Sequence, residues 1–172
     1  MDRRSGAAGL RSILDRLWAM PDDEARSLAI GEGACGISEL AVLAATAGRE
    51  DLAIWCIGMG ADPGMEVDAG GRTDLILRAT ACLGAESLGR LLSAIAEREG
   101  TRLLGCIRPE HLSGAGKGKF RLLARHAAAD ALRLVSGPRQ DQAARELSRR
   151  ERPELRSVAP QAPAARRPAR RI

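Results

Sequence analysis

Tyrosine and asparagine are absent from this chain, phenylalanine occurs once, tryptophan twice and valine four times in 172 residues. Residues that favour a pleated, half-buried surface are therefore scarce, which argues against a β-rich architecture. Scarce aromatics also remove the stacking platforms that single-stranded nucleic-acid binders use. No Cys-x-x-Cys occurs; Cys35, Cys56, Cys82 and Cys106 lie 21, 26 and 24 residues apart, and His111 and His126 lie 15 apart. That spacing offers no local zinc clip, so no metal is expected. No apolar run of about 18 residues occurs, and no continuous apolar stretch follows Arg3 and Arg4. The chain is therefore expected to have neither a transmembrane segment nor a secretory leader, and reads as reduced and cytoplasmic. A protein exported without a cleaved signal would show the same features, so a resident adaptor and an exported effector both stay open.

What is present is alanine (31 residues) and leucine (22 residues). These favour helices, and the expected class is all-α. The length suits one domain with a tail. We place a helical domain at 1–138 and a polar, basic, largely disordered tail at 139–172.

Charge is unevenly placed. Residues 21–100 carry six Arg against fourteen Asp and Glu, net −8, whereas residues 101–172 carry 17 Lys and Arg against six acids, net +11. An acidic front and a basic back suit self-complementary packing or a polyanion-facing C-terminal half.

Apolar periodicity divides the chain into short helices. Leu10, Ile13, Leu14, Leu17 and Trp18 stripe a first helix that ends before Pro21. Asp22, Asp23 and Glu24 open a second, ending near Ile30, where their charge suits the positive helix end. Gly31-Glu-Gly-Ala-Cys-Gly36 is expected to break the chain, with Ser38 capping a third helix through Ala47. Residues 50–59 form a fourth. Gly60 to Arg72 reads as loop or hairpin, and Thr73 as the cap of a fifth helix running to Leu83. Leu88, Leu91, Leu92, Ile95 and Ala96 mark a sixth. Residues 102–107 read as a short apolar turn, and 113–119 as a flexible link. Phe120 to Val135 read as one long helix closed by Gly137-Pro138, and 140–155 as a frayed polar helix.

The stretch Gly48-Arg-Glu-Asp-Leu-Ala-Ile-Trp-Cys-Ile-Gly-Met-Gly-Ala-Asp-Pro63, followed by Asp68, Gly71, Thr73 and Leu75, resembles an ankyrin repeat junction. Ankyrin repeats recur at about 33 residues. Here Leu43-Ala-Ala45 and Leu77-Arg-Ala79 are 34 apart. Ala44 and Ala45 match the small pair between paired helices, Gly48 the inter-helix turn, and Gly60-Ala-Asp62 the hairpin entry. The match covers residues 36–95. It departs at Asp74, where proline is usual, and at Ile76, where the family has a histidine that ties neighbouring loops. The resemblance implies stacked helix pairs, a non-enzymatic protein–protein interaction module and no cofactor. It places the partner-binding surface at the hairpin, on Asp62, Glu66, Asp68 and Arg72.

Two other readings come from different motifs. Gly31, Gly33 and Gly36 satisfy G-x-G-x-x-G before a helix, as in a small nucleotide- or methyl-donor-binding fold. That fold needs a strand before the loop and an acid at the end of the next strand; Asp22-Asp-Glu-Ala-Arg26 precedes and Cys56-Ile-Gly58 stands there instead. Arg166, Arg167, Arg170 and Arg171 offer weak contact with nucleic acid or an anionic surface, with a log–log salt slope of about −3 to −4. Gly114-Ala-Gly-Lys-Gly-Lys119 lacks the spacing and the Ser or Thr of a phosphate loop. Asp22-Asp23 and Glu50-Asp51 are paired acids, but helix starts explain them without catalysis.

Overall fold

The computed structural model describes residues 20–68, 72–99 and 105–157, apart from the side chains of 28, 32–35, 68, 99 and 151–157. These residues are mostly helical, and no described helix is long and apolar enough to cross a membrane. The order is α1 (Asp22–Thr46), α2 (Glu50–Gly58), a hairpin of β1 (Val67–Asp68) and β2 (Arg72–Thr73), α3 (Leu75–Cys82), α4 (Ala85–Glu99), α5 (Pro109–Ser113), α6 (Lys117–His126), α7 (Ala129–Arg133) and α8 (Gln140–Ser157), with a 3-10 turn at Gly137–Arg139.

The helices pack in a regular order. α1 meets α2 and α3, α2 meets α4, α4 meets α6, α3 meets α5, and α5 meets α7. One row thus runs α1, α3, α5, α7 and a second runs α2, α4, α6. Their shared interior holds Leu43, Leu52, Ile57, Leu75, Ile76, Leu88, Leu91, Leu92, Ile95 and Ile107, all fully buried. Burying each such side chain is worth about 1.5–3 kcal/mol. Ala44, Ala45, Ala53 and Ala79 have no exposed surface and let neighbouring backbones approach closely. Gly48 (φ 73°) turns α1 into α2 and Gly60 (φ 109°) releases the chain from α2, both in the left-handed region that glycine enters without a Cβ clash.

The break expected at Gly31–Gly36 is instead helical backbone inside α1. Yet α1 is not straight. A straight helix of 25 residues would hold its ends about 36 Å apart. Asp22, at its start, is ion-paired with Arg49, three residues past its end, and the Arg26 guanidinium lies 5.3 Å from the Trp55 ring centroid on α2. Neither contact is within an arginine's reach unless α1 folds back on itself. Ala25 and Ala29 are buried on the returning arm, so the bend falls between Ala29 and Ile37, where the glycines are.

Three further expectations change. Asp74, not Thr73, caps α3: its Oδ1 accepts the Leu77 N–H at 2.8 Å. Pro109, expected only to end the turn read at 102–107, opens the short helix α5. The long helix expected over 120–135 is two, α6 and α7, because Ala127 and Ala128 are extended. The Arg150 guanidinium donates to the main-chain oxygens of Ala124 and Ala127, satisfying carbonyls that the break leaves open.

The same contact bears on the tail. Residues 140–157, where a frayed polar helix was expected at the start of a largely disordered tail, form α8, which is seated on the body through buried Ala143, half-buried Leu147 and Arg150. The Arg139 Nε donates to the Ala115 oxygen at 2.9 Å. The first helix read at 10–18 and the segment 158–172 lie outside the described residues.

Ending the chain at Pro138 should therefore destabilise the body. Loss of the Leu147 packing and the Arg150 bonds is expected to remove on the order of 3 kcal/mol. Thermal denaturation of residues 1–138 against the full chain should show a Tm lower by roughly 6–12 °C; an unchanged Tm would mean that α8 adds nothing to the fold.

Candidate functional site

The hairpin expected to carry the partner surface forms between α2 and α3, with Val67 opposite Thr73 and Asp68 opposite Arg72. Its entry is fixed at several points. The Asp62 N–H donates to Ser38 Oγ at 2.9 Å, and Asp62 Oδ1 accepts the Gly64 N–H at 2.9 Å. The Arg98 guanidinium, from the end of α4, donates to the Ala61 oxygen. A side-chain acceptor two residues before its donor is the local signature of a turn set by Asp.

Beyond the turn, the charged residues make a chain of contacts that leads inward. Exposed Arg72 pairs with Glu66, and Glu66 Oε1 accepts from Arg108 Nη1 at 3.0 Å. These hold the Glu66 carboxyl below its usual range, the Arg108 hydrogen bond first and the Arg72 charge second. Arg108 Nη2 then reaches Asp74 Oδ2, which also lies 2.9 Å from His111 Nε2. Asp74 has no exposed surface and His111 only 1%.

The ring's protonation follows from its partners. His111 Nδ1 accepts the Arg108 backbone N–H at 3.1 Å, so it carries no proton, and Nε2–H donates to Asp74. One neutral tautomer satisfies both contacts. Burial alone would push the Asp74 carboxyl up. Hydrogen bonds from His111, the Leu77 N–H and Arg108 outweigh it and hold the group below its usual range. The same two carboxylates raise Arg108.

The structure thus brings Glu66 and Arg72 together, leaves Asp62 on the turn, and places Asp68 in β1. The residues that hold this surface in place, Asp74, Arg108 and His111, were not anticipated as a group. A signal existed: Arg108-Pro-Glu-His111, starting 34 residues after Asp74, carries a proline and a histidine in the order of a T-P-x-H repeat start. The four tail arginines, Arg166, Arg167, Arg170 and Arg171, lie outside the described residues. Gly31, Gly33 and Gly36 lie within α1 and do not form a loop between a strand and a helix.

Elsewhere, a groove of about 510 Å³ crosses the second row of helices, floored by Ile54, Leu92 and Leu122 and edged by Glu86, Glu97 and Arg125. His126, on its rim, is lowered by burial and by the charges of Arg125 and Arg150. Cys56 is buried, which pushes its thiol up to about 12 and leaves it a poor nucleophile. Among the described residues no group of three or more His, Cys, Asp and Glu converges on one point. The sequence matches no family model, and no curated protein or solved structure matches it.

Asp74→Asn tests the inner part of the network. The amide keeps an oxygen for Leu77 but presents an N–H to the His111 Nε2–H, so the variant should lose about 2–4 kcal/mol in equilibrium denaturation. Because the folded carboxyl sits below its unfolded value, its contribution is full above about pH 4 and falls away as acid protonates the folded form. Stability of the parent should drop faster below about pH 4, the unfolded value, than that of the variant; parallel pH profiles would show the carboxylate is not held this way.

Proposed function

We propose that this chain is a non-enzymatic protein–protein interaction module, built as a short ankyrin-like stack of helix pairs that presents the 61–74 hairpin to a partner protein. The observation that carries the reading is the tie between successive helix starts. Asp74 caps α3, Arg108 stands at the N-cap position of α5, the two positions are 34 residues apart, and they meet through Asp74, Arg108 and His111. A period near 33 residues with a histidine bridging neighbouring loops is what such a stack requires. The two rows of helices, with the loops at one end of them, support the same reading.

The mechanism is pre-ordering. Hairpins on unrelated scaffolds lose binding energy to the ordering of loose loops. Here the turn at Asp62, the Arg98 contact and the Glu66–Arg108–Asp74 chain fix the surface before any partner arrives. Asp62, Glu66, Asp68 and Arg72 supply polar contacts around it. Arg72, with 86% of its side chain exposed, is the cation among them.

The reading is tested by capture from nuclease-treated lysate on immobilised full chain and on the Asp68→Lys, Arg72→Glu double variant. A discrete protein retained by the parent and lost, by at least tenfold, from a variant of unchanged Tm is the expected result; tenfold corresponds to about 1.4 kcal/mol, within reach of two rim charges. Equal retention by both would place the surface elsewhere. Capture that disappears only with nuclease would move the function to polyanion contact through the basic C-terminal segment.

A further inference from the structure

The bend in α1 has a consequence of its own. Residues 22–30 form an arm that returns over α2, and its described contacts are few. Asp22 pairs with Arg49, Arg26 lies over Trp55, and Ala25 and Ala29 contribute small buried faces. The backbone of α1 is helical on both sides of the bend. Bent and straight forms of α1 therefore differ in the backbone only around Gly31–Gly36, where a reversal of this size opens part of the i→i−4 ladder and the arms on either side stay helical. Gly31 is not required there for space, since a Cβ at that position would meet nothing within 4 Å. Its effect, and that of the other two glycines, is to weaken the helix where it turns.

From the juxtaposition of a glycine-bearing helical bend with an arm seated on α2 by side chains that any copy could supply, we propose that the arm exchanges between two copies of this chain. Straightening α1 carries Asp22 about 36 Å from Thr46 and uncovers the flank of α2 that includes half-buried Trp55 and Arg49. The occupant that fits this flank is the arm of a second copy, because it brings the same Asp22 and Arg26 in the same register. In the exchanged dimer each Asp22–Arg49 pair and each Arg26–Trp55 contact forms between chains, and nothing in either body has to change. Exchange of an identical element is a low-cost route to a dimer, since it makes no contact that the monomer has not already made.

Charge reversal across the arm contact tests this with the full chain. Asp22→Arg places two cations together within a copy, and Arg49→Glu places two anions together. Mixed, the two variants restore opposite charges at both contacts only if each arm lies on the other chain. Size-exclusion chromatography with light scattering should show each variant alone as a monomer with parental helix content by circular dichroism. The equimolar mixture should give a dimer, which native mass spectrometry should identify as containing one of each. A second, independent variant carries Gly31→Ala, Gly33→Ala and Gly36→Ala together; a stiffer, straighter α1 should raise self-association at least tenfold over the parent. Two folded variants that stay monomeric when mixed would overturn the proposal. So would a dimer formed equally well by each charge variant alone, because its interface would then not involve the arm.

Discussion

A carboxylate with no exposed surface, Asp74, is the constraint on which the hairpin and the helix starts around it depend. Burying an ionised carboxyl is expensive unless every oxygen is hydrogen-bonded and the charge is balanced. Here Oδ1 takes the Leu77 N–H, and Oδ2 takes His111 and Arg108. Those partners come from two different helix starts. Satisfying one buried group therefore sets the distance between α3 and α5, and with it the spacing of the two loops that precede them. His111 is fixed in turn, because its other ring nitrogen accepts the Arg108 backbone N–H. Arg108 then has a guanidinium nitrogen left for Glu66, and Glu66 holds Arg72. A surface contact on the hairpin is thus coupled, through four side chains, to a buried helix cap.

This coupling explains why so small a hairpin is ordered at all. Two strands of two residues each are far below what stands alone in water. Its stability comes from anchors outside it: Ser38 on α1, Arg98 on α4 and Arg108 before α5. Three elements separated widely in sequence meet at one loop. That is the arrangement expected of a binding surface held by a rigid scaffold, where ordering is completed during folding and not at the moment of binding.

Much of the architecture was legible in the sequence, for reasons that are physical. The apolar stripe of Leu88, Leu91, Leu92 and Ile95 has helical period, and all four are fully buried on α4. Gly48 and Gly60 marked turns because left-handed backbone selects glycine, and both have positive φ. The hairpin over Gly60–Arg72 followed from its glycine and proline content. What was not legible depended on contacts between distant residues. The helix end at His126 has no proline or glycine to announce it; it is stabilised by Arg150, far along the chain. The glycines at 31–36 looked like a break, and they do reverse the chain, but they do so as a bent helix. Asp74 stands where the ankyrin pattern has proline and Ile76 where it has histidine, so neither announced the bond from Asp74 to His111, 37 residues on.

The central claim is that Asp74 and His111 act as one buried unit joining two helix starts. A double-mutant cycle measures this directly, using Asp74→Ala, His111→Ala and the pair, each by equilibrium denaturation. The account predicts a coupling energy of about 1–3 kcal/mol, with the second substitution costing much less once the first has been made. Effects that add within about 0.3–0.5 kcal/mol would show two independent residues and contradict the account.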